Sequence, residues 1–144
     1  MANNEASFQR ELMNSLKEYF KGKQYTLWKT NDSFTPGIPD LYFSAHVATF
    51  WCELKFKKQL PKNPTLKNLG VSPTQFRWNQ KQYQTWNHLR GFNCFYLIGS
   101  PKEAVVVWPI YEYQEPFAFP TDHRFNVPRE PGGKWNIHKL LDRL

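Results

Sequence analysis

Apolar positions recur along the chain first with helical and then with alternating spacing. From Glu5 to Phe20 the apolar side chains return every three or four residues, which predicts an amphipathic helix. Later apolar runs are short, are rich in aromatic and β-branched residues and are bounded by turn residues, which predicts strands. The predicted strands are residues 25–29, 40–44, 48–56, 92–99 and 103–110, with the second and third joined as a hairpin.

Helix signals return in the second half of the chain. Ser72 and Pro73 supply an N-cap and a proline at the first helical position, and the helix is expected to run to about Arg90, where Gly91 ends it. Residues 111–133 are rich in proline and are expected to be irregular, and residues 134–144 are expected to form a closing helix. This order predicts an α/β fold, a mixed central sheet flanked by helices. One domain is expected over residues 1–144, with a core at about 5–110 and a C-terminal extension at 111–144.

Composition narrows the function classes. The 144 residues carry a formal net charge of +7 and 17% aromatic residues, which favours an anionic partner such as nucleic acid. No apolar run approaches the ~20 residues that span a bilayer, and the N-terminus lacks the layout of a signal peptide. A cytoplasmic protein, bacterial or in a phage-infected host, is therefore expected. Its two cysteines, Cys52 and Cys94, lie in apolar runs and are expected to be reduced core residues.

Three polar residues are expected to converge at one edge of the sheet. Alternate residues of a strand share a face, so apolar residues of 48–56 fill one face while Glu53 and Lys55 project from the other. Asp40 begins the preceding strand, and pairing of the two strands brings it beside Glu53. Two close carboxylates favour a hard cation such as Mg²⁺, and a neighbouring lysine can orient a water or a phosphate. The alternative is a solvated Glu53–Lys55 pair with Asp40 capping a turn.

The segments GIPDL, FWCELK and VSPTQ together resemble the PD-(D/E)xK nuclease superfamily. This set of segments is most similar to the VRR-NUC and Holliday-junction-resolvase-like branch of that superfamily, which includes small phage enzymes. The resemblance covers about residues 5–99. It implies a restriction-endonuclease-like αβββαβ core and Mg²⁺ as cofactor, with Mn²⁺ able to substitute. It also implies that Asp40, Glu53 and the backbone carbonyl of Leu54 hold the metal, and that Lys55 handles the water or the phosphate.

The resemblance also implies two auxiliary residues. A further acid is expected on the first helix, where a helical wheel places Glu5 on the inward stripe and turns Glu11 toward solvent. Glu5 is therefore preferred, with Glu11 as the alternative. An auxiliary glutamine that contacts the active-site lysine or the substrate is expected on the second helix, either Gln75 or Gln80. A solvated helical glutamine is at least an equal alternative.

Lys57, Lys58, Lys62 and Lys67 follow the predicted catalytic strand in what is expected to be a mobile basic loop that contacts DNA phosphates. These features predict a metal-dependent endonuclease that prefers branched or irregular DNA. The resemblance alone implies a role in recombination, repair or phage DNA processing. A homodimer would follow if four-way junctions are the substrate. A homing or restriction endonuclease with the same centre stays open. A non-catalytic nucleic-acid-binding protein, whose tryptophans stack on unpaired bases, also stays open.

Overall fold

The computed structural model describes residues 4–30, 37–87, 92–119 and 126–144, which form a mixed six-stranded sheet and three helices. In chain order the elements are α1 (Glu5–Tyr19), β1 (Tyr25–Lys29), β2 (Leu41–Ala45), β3 (Thr49–Phe56), α2 (Pro73–Trp86), β4 (Phe92–Gly99), β5 (Glu103–Val107), β6 (Asn126–Pro128) and α3 (Ile137–Leu141). The expected α/β class and the mixed sheet with helices are confirmed. None of the helices in the described ranges is both long and apolar enough to cross a membrane.

The strands lie side by side in their chain order. The central pair, β3 and β4, is parallel and is connected through α2, whereas every other neighbouring pair is antiparallel. The hairpin predicted from the second and third apolar runs is β2–β3, in register Leu41 to Cys52. The start of β2 therefore lies beside the middle of β3, inside the sheet rather than at the edge that the sequence analysis expected.

Each face of the sheet buries its own apolar cluster. On one face, α1 and α3 pack against alternate residues of β2, β3 and β4. On the other face, the segments that follow β3 and β5 cover β4 and β5. The first cluster includes Phe8, Leu12, Leu16, Phe43, Phe50, Leu54, Phe95, Trp135 and Leu140, and the second includes Leu66, Leu69, Val71, Tyr96, Ile98, Val105 and Phe117.

The C-terminal third is more ordered than the proline content suggested. β6 was not predicted; it pairs with β5 and adds an edge strand to the sheet. Trp135 belongs to the α1 cluster, and its backbone N–H donates to Ser15 Oγ at 3.0 Å. The segment that was expected to be an extension is thus built into the same core as α1.

Some predicted boundaries were wrong. β5 ends at Val107 rather than at residue 110, because Pro109 has no N–H to continue the ladder and Ile110 N instead bonds the Trp108 carbonyl at 2.8 Å. α2 ends at Trp86, and the predicted stop at Arg90 and Gly91 lies outside the described residues. The closing helix is shorter than expected, starting only at Ile137 after an Asn136 N-cap.

Candidate metal centre

Asp40 stands directly before β2 and is fixed from two sides. Thr30 holds its backbone: Thr30 N donates to the Asp40 carbonyl at 2.9 Å, and Thr30 Oγ1 donates to the Pro39 carbonyl. The side chain then turns to β3, where Asp40 Oδ2 accepts a hydrogen bond from Leu54 N at 2.9 Å. In the continued register Leu54 stands opposite Pro39, whose carbonyl accepts from Thr30 instead, so the Asp40 carboxylate takes the place of a ladder bond to the Leu54 N–H.

Gly37 allows the turn before Asp40 to lie against the first turn of α2. Its φ of 91° lies in the left-handed region that favours glycine, and a Cβ at this position would stand 2.8 Å from the Thr74 carbonyl oxygen. Any side chain would push the two segments apart. The glycine of the GIPD segment thus brings Asp40 and the start of α2 to the same place.

Glu53 and Lys55 share the face of β3 opposite the α1 cluster, as the alternation predicted. Glu53 is 1% exposed and Lys55 is 7% exposed, and Lys55 Nζ lies 3.5 Å from Glu53 Oε1. The β2–β3 register continued by one residue places Asp40 opposite Glu53. The structure therefore brings Asp40, Glu53 and Lys55 together, in a setting more buried than a solvated strand pair.

Glu53 is a buried acid with a raised pKa, and one of its two carboxylate oxygens lacks a hydrogen-bond partner among the described residues. Burial, followed by the charge of Asp40, raises its pKa from 4.5 to about 9, against the opposing effect of Lys55. Glu53 Oε2 is buried and has no hydrogen-bond donor in the part of the chain that the structure describes. A proton or a cation would satisfy this oxygen and relieve the repulsion between the carboxylates.

Gln75 orients Glu53 from the first turn of α2. Ser72 and Gln75 form a capping box, in which Ser72 Oγ accepts from Gln75 N at 3.1 Å and Gln75 Oε1 accepts from Ser72 N at 2.9 Å. The amide oxygen is thereby occupied, and Nε2 donates to Glu53 Oε1 at 2.9 Å. The resemblance implied a contact with the lysine or the substrate, but the contact is with Glu53. Gln80 lies about 7.5 Å further along the axis and about 140° round the helix.

Asn79, which the sequence analysis overlooked, supports this arrangement. It is fully buried one turn after Gln75, where Nδ2 donates to the Gln75 carbonyl at 2.8 Å and Oδ1 accepts from Cys94 Sγ at 3.1 Å. Both cysteines are free and buried, as expected, but Cys94 also serves as a hydrogen-bond donor. Its spacing of four residues from Gln75, which places both residues on one face of α2, was the available signal.

Glu5 is at the edge of the centre rather than in the core. It remains exposed on the first turn of α1, with its carboxylate near Asp40, Lys55 and Lys57. Partial burial, more than the opposing charge of Lys55, raises its pKa, and the Phe56 N–H donates a hydrogen bond that lowers it. Asp40 and Glu5 therefore each lie beside an N–H group of β3, Asp40 beside that of Leu54 and Glu5 beside that of Phe56.

Glu11 has a different role, and the expectation that it turns to solvent was wrong. Its Oε2 lies 3.0 Å from Arg129 Nη2, and the Arg129 side chain is only 6% exposed. Arg129 also donates to the carbonyls of Pro101 and Gly133. Glu11 thus ties α1 to the C-terminal segment, away from Asp40 and Glu53.

Substitution of the two acids of α1 should have different effects, one on activity and the other on stability. If the chain is the endonuclease that the sequence analysis expects, Glu5→Gln should reduce the cleavage rate ~10–100-fold with little loss of stability, because its carboxylate borders the centre. Glu11→Gln is expected to lower the free energy of unfolding by about 1–3 kcal/mol, because Arg129 loses its charged partner, and to leave the rate of the folded fraction unchanged. Urea titrations and single-turnover assays measure the two effects. A larger rate loss in Glu11→Gln would contradict the assignment of Glu5.

The donors available to a metal are few. Across the described ranges, no cluster of three or more His, Cys, Asp or Glu side chains could hold an ion. Asp40 and Glu53 form a pair instead, and the Leu54 carbonyl points to the same edge as its N–H, toward Asp40, because both groups of a strand residue face one side. Two carboxylates and one main-chain oxygen suit Mg²⁺, which keeps several of its waters. The donor set and the unsatisfied Glu53 oxygen fit the predicted cofactor.

The basic segment after β3 is anchored rather than free. Lys58, Lys62 and Lys67 are exposed, but Leu66 and Leu69 between and beside them are fully buried in the second cluster. The sequence analysis expected a mobile loop, whereas these two leucines attach the segment to the second apolar cluster. The segment returns to the centre at Gly70, which stands next to the Lys55 side chain, whereas the half-buried Lys57 lies near Glu5.

Sequence comparison adds no relative to this description. No protein-family model matches the chain, and none of the curated proteins is significantly similar to it. The functional interpretation therefore stands on the arrangement of Asp40, Glu53, Lys55, Gln75 and Glu5.

Proposed function

We propose that the chain is a Mg²⁺-dependent endonuclease that hydrolyses phosphodiester bonds in DNA. The observation that carries this proposal is the buried Glu53, which lies beside Asp40 and 3.5 Å from Lys55 Nζ and whose second oxygen lacks a donor. A purely structural acid would be expected to have both oxygens satisfied by donors. Here Oε1 is held by Gln75 and Lys55, and Oε2 has no hydrogen-bond partner among the described residues.

Each residue of the centre has a distinct task in this proposal. Asp40, Glu53 and the Leu54 carbonyl hold the ion, and Gln75 keeps Glu53 in one rotamer through Nε2. A bound divalent ion neutralises charge on the phosphate and lowers the pKa of a coordinated water. Lys55 is nearly buried with Nζ beside Glu53, so it would orient the attacking water or contact a phosphate oxygen. Glu5 accepts a hydrogen bond from the water or adjusts the charge around Lys55.

The order of elements supports a nuclease of the PD-(D/E)xK type. From α1 to β4 the chain follows the helix, three strands, helix and strand that the resemblance implies, with the candidate centre where β2 begins and β3 continues beyond it. The GIPD turn and the capping box of VSPTQ, both part of the resemblance, are the two segments that position Asp40 and Glu53. The turn and the capping box are thus two separate local features that each help to place Asp40 and Glu53 in the same centre.

The experiment that tests the proposal is DNA cleavage with and without metal. Supercoiled plasmid and a four-way junction are incubated with the protein in Mg²⁺, in Mn²⁺ and in EDTA. Cutting that requires the divalent ion supports the proposal, and faster cutting of the junction than of linear duplex supports a preference for branched DNA. Binding without any cutting would favour a non-catalytic DNA-binding protein. Cutting at one duplex sequence would favour a restriction or homing enzyme.

The exposed lysines after β3 are proposed to contact DNA phosphates. Replacing Lys58, Lys62 and Lys67 with Ala should weaken binding to every DNA substrate and lower the slope of log affinity against log salt by as much as ~3. Lys57 is kept, because it lies near Glu5. The cleavage rate at saturating protein should persist, because Asp40, Glu53 and Lys55 are unchanged.

A control with the same loss of charge separates local contacts from net charge. Lys17, Lys21 and Lys139 are exposed on or beside α1 and α3, and their replacement with Ala should change the salt slope much less. Fluorescence anisotropy over a salt series measures both variants. Equal slopes for the two triple variants would contradict the proposed phosphate contacts.

A further inference from the structure

Four aromatic side chains form a continuous row on the sheet face that carries the candidate centre. The Trp51 ring is at the middle of this aromatic row: its centroid is 4.9 Å from Tyr42, 6.2 Å from Trp28 and 5.4 Å from Trp78. Trp28 belongs to β1, Tyr42 to β2, Trp51 to β3 and Trp78 to α2. The row therefore crosses three strands and ends against the second helix.

The aromatic row is not part of either apolar cluster. Trp28 is 53% exposed, and Tyr42, Trp51 and Trp78 are half-buried, so each ring keeps solvent-accessible surface. Tyr25 and Leu27, the neighbours of Trp28 that face the other way, pack against the α1 cluster. An exposed tryptophan on an edge strand adds little to the core, and a contiguous aromatic surface of this kind is typical of a binding site.

The aromatic row is continuous with the candidate centre. Trp51 precedes Glu53 by two residues on β3, and Tyr42 follows Asp40 by two residues, so each pair lies on one face with ~6.6–6.8 Å between the residues. Phosphates of one B-form strand are spaced ~3.4 Å along the axis. A base on Trp51 would then belong to a nucleotide within about two positions of a phosphate at Glu53.

We infer that the aromatic row stacks on unpaired bases of the DNA strand whose phosphate lies at Asp40 and Glu53. The inference rests on the proposed nuclease function and specifies its substrate: DNA with unpaired nucleotides beside the cut. Bases fit the observations better than a purely apolar partner, because the chain carries a net charge of +7 and the row adjoins a phosphate-directed centre. Stacking accepts any base, so the row adds affinity without adding sequence preference.

The test compares a forked duplex, which has single-stranded arms, with a blunt duplex of the same length, both in EDTA. Trp28→Ala should weaken binding to the fork roughly 5- to 100-fold and leave binding to the blunt duplex nearly unchanged. The salt slope should stay the same, because no phosphate contact is removed. Trp28→Leu, which keeps the apolar bulk without the aromatic face, should show most of the same loss. Tyr19→Ala, which removes an exposed aromatic residue from α1, is the matched control.

Abasic nucleotides identify the contact. Forks in which the bases of the arms are removed near the junction, one position at a time, should bind the wild type more weakly. At one or more of these positions, the loss caused by Trp28→Ala should disappear. Such coupling supports base stacking. Equal losses on intact, abasic and blunt DNA, or an equal loss in Tyr19→Ala, would overturn the inference and leave the row as a surface for another partner.

The same variants distinguish this inference from the nuclease proposal. If the protein cuts DNA in Mg²⁺ but Trp28→Ala shows no dependence on the bases, stacking fails while the nuclease function stands. If base-dependent binding is found but no condition gives metal-dependent cutting, the nuclease function fails and the aromatic row is a binding surface for unpaired DNA.

Discussion

Asp40→Asn and Glu53→Gln are each expected to lower the single-turnover rate of the proposed DNA cleavage by ~10³-fold or more, while DNA binding in EDTA should stay equal or become tighter. Each substitution removes a charge that a divalent ion requires and preserves the size of the side chain. Asp40→Asn keeps an oxygen that can accept from the Leu54 N–H, and Glu53→Gln keeps one that can accept from Gln75, so the backbone should not move. Loss of a carboxylate near the phosphate also removes a repulsion.

The measurement is cleavage of pre-bound junction after addition of Mg²⁺, with protein in excess over DNA. Glu112→Gln is the matched control, because Glu112 is an exposed acid in the segment after β5 and its substitution also removes one negative charge. The control should cut like the wild type. Cleavage at more than about a tenth of the wild-type rate by Asp40→Asn or Glu53→Gln would exclude the carboxylate pair as the metal site, since loss of a metal ligand costs far more.

Elements with a strong local pattern were predicted almost to the residue. α1 and β4 differ from their predicted bounds by at most one residue, because amphipathic spacing and an eight-residue apolar run are visible locally. β6 has only three residues, one of them a proline, and it is a strand because β5 offers an edge to pair with. The packing of Leu66 and Leu69 into the second apolar cluster was missed because two leucines among lysines and prolines show neither helical nor strand periodicity.

The site was predictable where it depends on strand alternation and not where it depends on distant contacts. Glu53 and Lys55 share a face because they are two residues apart, and Asp40 meets them because β2 and β3 form a hairpin. The hydrogen-bond partner of the Gln75 side chain, by contrast, depends on where α2 packs against the sheet. The pairing of Glu11 with Arg129 joins residues 118 positions apart, which no helical wheel can reveal.

Glu53→Gln is expected to stabilise the metal-free protein, increasingly so as the pH rises. The pKa of Glu53 is about 9 in the folded chain and near 4.5 when unfolded, so folding takes up a proton between these values. Below pH 4.5 both states are protonated and the acid has no effect. As the pH rises toward 9, the unfolded state alone loses the proton, and the wild type loses up to about 1.4 kcal/mol of stability per pH unit. Glutamine carries no proton to lose and avoids this penalty.

Urea unfolding in EDTA at several pH values between about 5 and 9 measures the difference. The two proteins should be nearly equal at about pH 5, and Glu53→Gln should be about 2–4 kcal/mol more stable at about pH 8. The raised pKa of Glu5 affects both proteins alike and cancels in the comparison. Mg²⁺ should stabilise the wild type at about pH 8 and not the variant, because only a carboxylate can exchange its proton for the ion. If the stability difference between the two proteins did not grow with pH, the pKa of Glu53 would not be raised in the folded protein. If Mg²⁺ stabilised both proteins equally, the ion would bind at a site other than Glu53.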